Sequence, residues 1–217
     1  MFGIPTALLM ENAGRAAADL AQEEFNLRAD GPPTLVLVGP GNNGGDGLVL
    51  ARTLHARGLP VRAVFLGELE PLDRFTEETF FNHLTWQRMA QDLHEFSRHC
   101  GSAGFQEELD RAGLIVDALL GTGLSRRLEE PFAGAVEAAN ARRAPILSLD
   151  LPSGLDADTG EVHGHAIRAD RTATFAALKQ GLLRRAGPGL AGVVDVLEIG
   201  LPAELLEDLP REAHGKN

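Results

Sequence analysis

The chain has 217 residues, enough for one sizeable α/β domain and too few for two, so residues 1–217 are expected to form a single domain. Acidic residues number 31 against 20 basic ones, a net charge of −11, which argues against a surface built to neutralise nucleic-acid phosphates. A lone cysteine, Cys100, excludes an intrachain disulfide and fits a reducing cytoplasm, no apolar run approaches the roughly 18 residues that span a membrane, and no basic-then-apolar start suggests a signal peptide.

The predicted elements alternate along the chain. Thr6 to Phe25 is rich in Ala, Leu and Glu, and Leu8, Leu9, Ala13, Ala16, Ala17 and Leu20 form a helical apolar stripe. Asn12 lies on that stripe and is expected either to brace a loop or to face a polar site. Gly31-Pro32-Pro33 is a turn, and Thr34 to Val38 is a strand. A glycine-rich loop follows, then a helix from Leu48 to Arg57 and a strand from Pro60 to Leu66. Asp73 to Gln91 is expected to be helical, and Leu93 to Phe96 a short strand. Helices over Phe105–Arg111 and Glu129–Arg142 alternate with strands over Leu114–Leu119 and Pro145–Leu149. Thr172–Ala176 and Val193–Leu197 complete the strands, and the polar end from Pro210 to Asn217 is expected to fray. Apolar β runs alternating with amphipathic helices imply a mostly parallel sheet covered on both faces.

The run Gly39-Pro40-Gly41-Asn42-Asn43-Gly44-Gly45-Asp46-Gly47 carries five glycines in nine positions. A strand, a glycine loop and a helix N-terminus make an anion cradle, because free N–H groups and the positive end of the helix dipole point at the loop. Gly39, Gly41 and Gly44 satisfy the dinucleotide spacing G-x-G-x-x-G, yet Asp46 is a carboxylate where a pyrophosphate wants none.

Ligands of open α/β sheets bind beyond the carboxyl ends of the strands, so the residues that follow each strand matter most. Asp117 precedes Gly121-Thr122-Gly123-Leu124-Ser125-Arg126-Arg127, and Asp150 precedes Leu151-Pro152-Ser153-Gly154. Backbone N–H groups of the first of these turns could hold phosphates, with Arg126 or Arg127 as counter-charges. Asp46, Asp117 and Asp150 would repel phosphates, so they call for a cation, a hydrogen-bonding task or chemistry. A hard cation with oxygen ligands fits Asp117, the Asn43 carbonyl and the Ser153 hydroxyl, leaving Asp150 as general acid or base and Lys179 as a second titratable candidate. The plain alternatives are a helix N-terminal acid for Asp46 and loop caps for Asp117 and Asp150. His163 and His165 lack a third metal ligand at a suitable spacing, and Asp156-Ala157-Asp158-Thr159-Gly160 reads as a polar turn. There is no P-loop lysine motif and no G-x-S-x-G elbow.

Taken together, Gly3-Ile4-Pro5, Leu9 to Gly14, Gly39 to Gly47, Asp117 to Leu124, Leu149 to Leu155, Ala169-Asp170, Thr174-Phe175 and Leu178-Lys179 resemble the NAD(P)H-hydrate epimerase family, the YjeF N-terminal domain family. The resemblance implies a Rossmann-like three-layer αβα sandwich with a mostly parallel central sheet, usually as a homodimer. It implies an isomerase that interconverts the R and S forms of hydrated NADH and NADPH, a nucleotide repair reaction, with one potassium ion per subunit. Carried onto this chain, Asn42, Asn43, Gly44, Gly45 and Asp46 contact the substrate, as do Gly121, Thr122, Gly123, Leu124, Ser125, Arg126, Arg127 and Asp150. Asn43, Asp117 and Ser153 hold potassium, and Asp150 and Lys179 are the catalytic pair. Dehydration of the product pool falls to a separate dehydratase. Gln180 departs from the family, where many members have Pro after the lysine.

Two other functions compete with this one. A nicotinamide-dependent dehydrogenase needs an acid after the second strand for the ribose, and Glu68 stands there. A non-catalytic nucleotide-binding or scaffold module would keep the fold without turnover.

Overall fold

Seven parallel strands form one sheet in the order β3-β2-β1-β4-β5-β6-β7 in a computed structural model that describes residues 3–67, 75–89, 93–95, 102–124 and 127–205. The strands are β1 (Thr34–Val38), β2 (Val61–Phe65), β3 (Leu93–Glu95), β4 (Leu114–Ala118), β5 (Ile146–Leu149), β6 (Arg171–Phe175) and β7 (Val193–Leu197). The helices are α1 (Thr6–Glu24), α2 (Asn42–Ala56), α3 (Glu77–Arg88), α4 (Ala103–Arg111), α5 (Phe132–Asn140) and the single turn α6 (Gly187–Leu190). From β1 the chain winds outward through β2 and β3, then returns to place β4 on the other side of β1. That reversal lies between the carboxyl ends of β1 and β4, where open α/β sheets bind ligands.

Both faces are covered, as a parallel sheet requires. All five residues of β1 are buried. Val36 and Val38 face the core made with α1 and α2, whereas Leu35 and Leu37 face the core made with Phe105 and Leu109 of α4 and Ala135, Val136 and Ala139 of α5. Ser102 caps α4 by accepting the Phe105 N–H at 3.3 Å. A third cluster of Leu151, Leu155, Leu178 and Leu182 packs under the irregular segments around β6.

Asn12 donates to the Ile199 carbonyl at 2.9 Å and ties α1 to the segment after β7, so it braces the chain rather than serving a polar site. The polar turn at Asp156 also forms: its Oδ1 accepts the Thr159 N–H at 2.7 Å and the Asp158 N–H at 3.1 Å.

One expectation changes. The glycine-rich run is not a loop ending at Leu48, because α2 begins at Asn42. None of Gly39, Gly41, Gly44, Gly45 and Gly47 has a positive φ. Close packing explains four of them, Gly39, Gly44, Gly45 and Gly47, instead. A Cβ at Gly39 would strike the Leu119 carbonyl, one at Gly44 the Gly39 carbonyl, and one at Gly47 the Ala118 side chain. The missing side chains let the first turn of α2 settle directly onto β1 and β4.

Candidate active site

A cavity of about 670 Å³ opens at the strand-order reversal. Its walls are Gly41, Asn42, Asn43 and Asp46 at the start of α2, residues 119–124 after β4, Asp150 after β5 and Phe175 at the end of β6. The first turn of a helix leaves amide N–H groups without intrahelical partners, and those of α2 border this space. Gly41 has open room around it, with no heavy atom within 4 Å of where a Cβ would sit.

Asp150 occupies an uncommon backbone conformation, φ 66°. The Leu151 N–H donates to the Leu149 carbonyl at 2.8 Å and closes a three-residue turn around it, while the Asp150 N–H donates to Ala173 of β6 at 2.8 Å. Neighbouring β6 ends in the same way: Ala176 has φ 65°, and the Ala177 N–H donates to the Phe175 carbonyl at 2.8 Å. Positive φ at a non-glycine residue costs about 1–3 kcal/mol and persists where the surroundings over-determine it, as at active sites. The paired turns bring Lys179 back onto Asp150. Its ammonium forms an ion pair with Asp150 Oδ1 and also donates to the Phe175 carbonyl at 2.8 Å. Lys179 does not line the cavity; it stands behind Asp150.

Asp46 faces the same cavity. Burial, then the negative charge of Asp150, hold its carboxyl well above the usual carboxylate range, with Lys179 acting in the opposite direction.

Asp117 is fully buried beneath the turn after β4. Its Oδ2 accepts from the Ser148 hydroxyl and the Ser153 N–H, each at 2.8 Å. Its Oδ1 accepts from the Ser153 hydroxyl at 2.6 Å and the Leu119 N–H at 3.3 Å. Burial pushes this carboxyl up, and those hydrogen bonds partly offset the push. The Leu120 N–H also donates to Ser153 Oγ, at 3.0 Å, which joins the turns after β4 and β5. Asn43 is 5% exposed, and neither its amide oxygen nor its amide nitrogen has a partner among the described residues. A Cβ on Gly121 would lie 3.4 Å from both Asn43 Cβ and Asp150 Oδ2, so all three residues converge on one spot.

Other sequence-predicted residues are placed differently. Thr122, Gly123 and Leu124 line the cavity, but Gly44 and Gly45 are buried in helix packing and do not. Arg127 is exposed and lays its side chain over Gly164, away from the cavity. Ser125, Arg126 and Glu68 lie outside the described residues, as does Cys100. His163 pairs with Asp156 at 3.1 Å and His165 with Glu137 at 3.1 Å, so the two imidazoles go to separate partners. No group of three or more His, Cys, Asp or Glu suited to a metal occurs among the described residues.

Two residues absent from the sequence-based site, Thr76 and Thr79, also belong to it. Thr76 lines the cavity, and its N–H donates to the Pro40 carbonyl at 3.3 Å. Thr79 donates to the Gly41 carbonyl at 2.9 Å, so the start of α3 props up the glycine turn. Thr76 followed by Glu77 and Glu78 is a helix-start signal that could have pointed there.

A doubly wound parallel sheet with its crevice at the strand-order reversal defines a Rossmann-like α/β protein. Residues 6–181 match the family described as YjeF-related protein N-terminus, and the chain belongs to that family. It is similar to the bifunctional NAD(P)H-hydrate repair enzyme Nnr of Salinibacter ruber, at 40% identity over 95% of this chain and 39% of that protein. It is also similar to the NAD(P)H-hydrate epimerase of Rhodopirellula baltica, at 38% identity over 94% of this chain and 80% of that protein. The crystal structure of yeast ynu0, YNL200c, superposes with a TM-score of 0.76 at 28% identity, over 99% of this chain and 89% of that one. The chain therefore spans about two fifths of the Nnr relative and four fifths of the epimerase relative. Strand β7 continues the same sheet beyond the matched range. No described helix is long and apolar enough to cross a membrane.

Proposed function

We propose that this chain epimerises the R and S forms of hydrated NADH and NADPH. The observation that carries the reading is the Asp150–Lys179 ion pair, set on two strained turns at the edge of a nucleotide-sized cavity. Relatives named as NAD(P)H-hydrate epimerases support it. The nucleotide enters against the start of α2 and the turn of residues 121–124, whose N–H groups suit its phosphates. Asp150 exchanges a proton with the hydroxyl on the hydrated ring carbon. The C–O bond breaks with its electron pair going to oxygen, the hydroxyl leaves as water, and the ring nitrogen stabilises the cationic ring by donating its lone pair. Water then adds to the opposite face and gives up a proton. Lys179 keeps Asp150 oriented through its second bond to the Phe175 carbonyl.

A monovalent cation, potassium, belongs to the same proposal. The local chemistry fits it: Asn43 Oδ1 is a buried oxygen without a partner among the described residues, and Asp117 is a buried carboxylate bonded to Ser153 Oγ. An all-oxygen donor set suits a hard cation, and a carboxylate already accepting four hydrogen bonds suits a weakly held one. Bound there by Asn43, Asp117 and Ser153, potassium would supply positive charge beside the turn that meets the substrate. A homodimer, a cytoplasmic location and a separate dehydratase acting on the product complete the reading. The dehydratase is supported by the bifunctional names of the Nnr relatives.

The test is to supply one purified epimer and follow the other by chromatography, with potassium and with lithium in its place. Interconversion that is faster in potassium is expected. A folded protein that leaves the epimer unchanged beyond the uncatalysed rate would overturn the reading.

A further inference from the structure

Two acidic residues line the cavity from different elements, Asp46 from the first turns of α2 and Asp150 from the turn after β5. No other charged side chain lines it among the described residues. The two acids are not equivalent. Lys179 is committed to Asp150 and to the Phe175 carbonyl. The Asp46 carboxyl has no hydrogen-bond or ion-pair partner among the described residues, and no side chain caps the α2 N-terminus. An acid that faces a cavity and serves no structural contact is available to whatever enters.

We propose that Asp46 is a second catalytic acid–base group, and that Asp46 and Asp150 serve opposite faces of the substrate ring. The inference rests on the epimerase reading. Changing the configuration at a carbon requires the hydroxyl to leave one face and water to arrive at the other, so each face needs its own proton donor and acceptor. In one direction Asp46 gives its proton to the departing hydroxyl, the C–O bond breaks toward oxygen, and water leaves. A water on the other face forms the new C–O bond with its own electron pair and passes a proton to Asp150. In the reverse direction the roles exchange. Each turnover moves one proton from one carboxyl to the other, and cavity water returns it.

The surroundings favour this division. Lys179 gives the charge of Asp150 a direct partner, whereas burial and the nearby Asp150 charge favour the neutral form of Asp46. Carboxyl pairs whose environments differ in this way divide acid and base roles in other enzymes.

The test measures kcat and KM in both directions for the wild-type protein, Asp46→Asn and Asp46→Glu, with circular dichroism to confirm folding. Asp46→Asn is expected to lower kcat in both directions by at least about 100-fold while KM moves no more than about threefold. Asp46→Glu is expected to regain part of that loss. A folded Asp46→Asn with kcat within about threefold of wild type, or one that changes only KM, would make Asp46 a binding contact and overturn the proposal. A pH–rate profile of the unsubstituted protein is independent of any variant: two limbs support two titrating groups, and a single limb overturns the proposal. An inactive wild-type protein would instead defeat the epimerase reading, and this inference with it.

Discussion

Asp150 and Lys179 are held together from both sides, since the ammonium that pairs with the Asp150 carboxylate also donates to the Phe175 carbonyl at 2.8 Å. Adjacent strands β5 and β6 end in matching tight turns, at Asp150 and Ala176. The geometry of the pair is therefore set by main-chain hydrogen bonds, and side-chain chemistry at Asp150 can be changed without moving the turn. Asn tolerates positive φ, so Asp150→Asn is expected to keep the turn, to lose only the ion pair with Lys179, about 1–3 kcal/mol in urea unfolding, and to lose about 10²–10⁴ in kcat. Asp150→Val loses the same ion pair and also places a β-branched residue at φ 66°, and is expected to cost roughly 2 kcal/mol more than Asp150→Asn in urea unfolding. Equal stability of the two variants would mean that the turn carries no strain.

Asp46 makes stability depend on pH. Its folded carboxyl titrates above the unfolded one, so the folded state holds the proton over a pH range in which the unfolded state has released it. That contribution is fully present below the unfolded value near 3.8 and declines as pH rises toward the folded value. Asp46→Asn is accordingly expected to gain stability over wild type at neutral pH, with the gain shrinking toward pH 4. Urea unfolding at a series of pH values measures this, and a gain that grows on acidification would refute it.

Asp117 is the hub of a buried network that joins β4, β5 and the turn at Ser153. All four of its hydrogen-bond partners are donors. An amide at this position would set its own N–H₂ against some of them, so Asp117→Asn is expected to lose about 2–4 kcal/mol. Ser148→Ala removes one donor and leaves the other three, and is expected to lose about 1 kcal/mol. Chemical denaturation of the two variants would show whether their order is as stated.

Gly39 and Gly41 are two residues apart and should respond oppositely to substitution. A Cβ at Gly39 would overlap the Leu119 carbonyl, so Gly39→Ala is expected to be severely destabilised, by about 3 kcal/mol or more. Gly41 has φ −83° and open space beside it, so Gly41→Ala is expected to fold normally and to raise KM by narrowing the cavity. Thermal melting separates the two cases, and an unstable Gly41→Ala would show that the turn needs glycine for another reason.

The strands were the most legible part of the fold. Runs such as Thr34–Val38 and Val193–Leu197 are dense in Val and Leu, and the structure places strands over those same residues. The start of α2 runs against its local signal, because glycine propensity favours a loop, whereas packing against β1, β4, Met10 and Thr79 makes the same residues helical. The 3₁₀ turn over Gln180–Leu183 and the short α6 carried no periodic signal of their own. In the site, Asp117, Asp150 and the turn of residues 121–124 were visible as polar and glycine residues following apolar strands. The support from Thr76 and Thr79 and the outward course of Arg127 were not, because they depend on how distant segments pack.

Local chain chemistry was enough to establish an alternating α/β protein with carboxylates and glycine turns after its strands, because hydrophobic period and turn residues are properties of short segments. Tertiary structure alone decided that Asp46 and Asp150 share a cavity, that Lys179 serves Asp150 rather than lining it, and that Asn43 is left buried without a partner among the described residues. Those relationships join residues up to 104 positions apart, from Asp46 to Asp150, and they follow from the order in which the strands lie side by side.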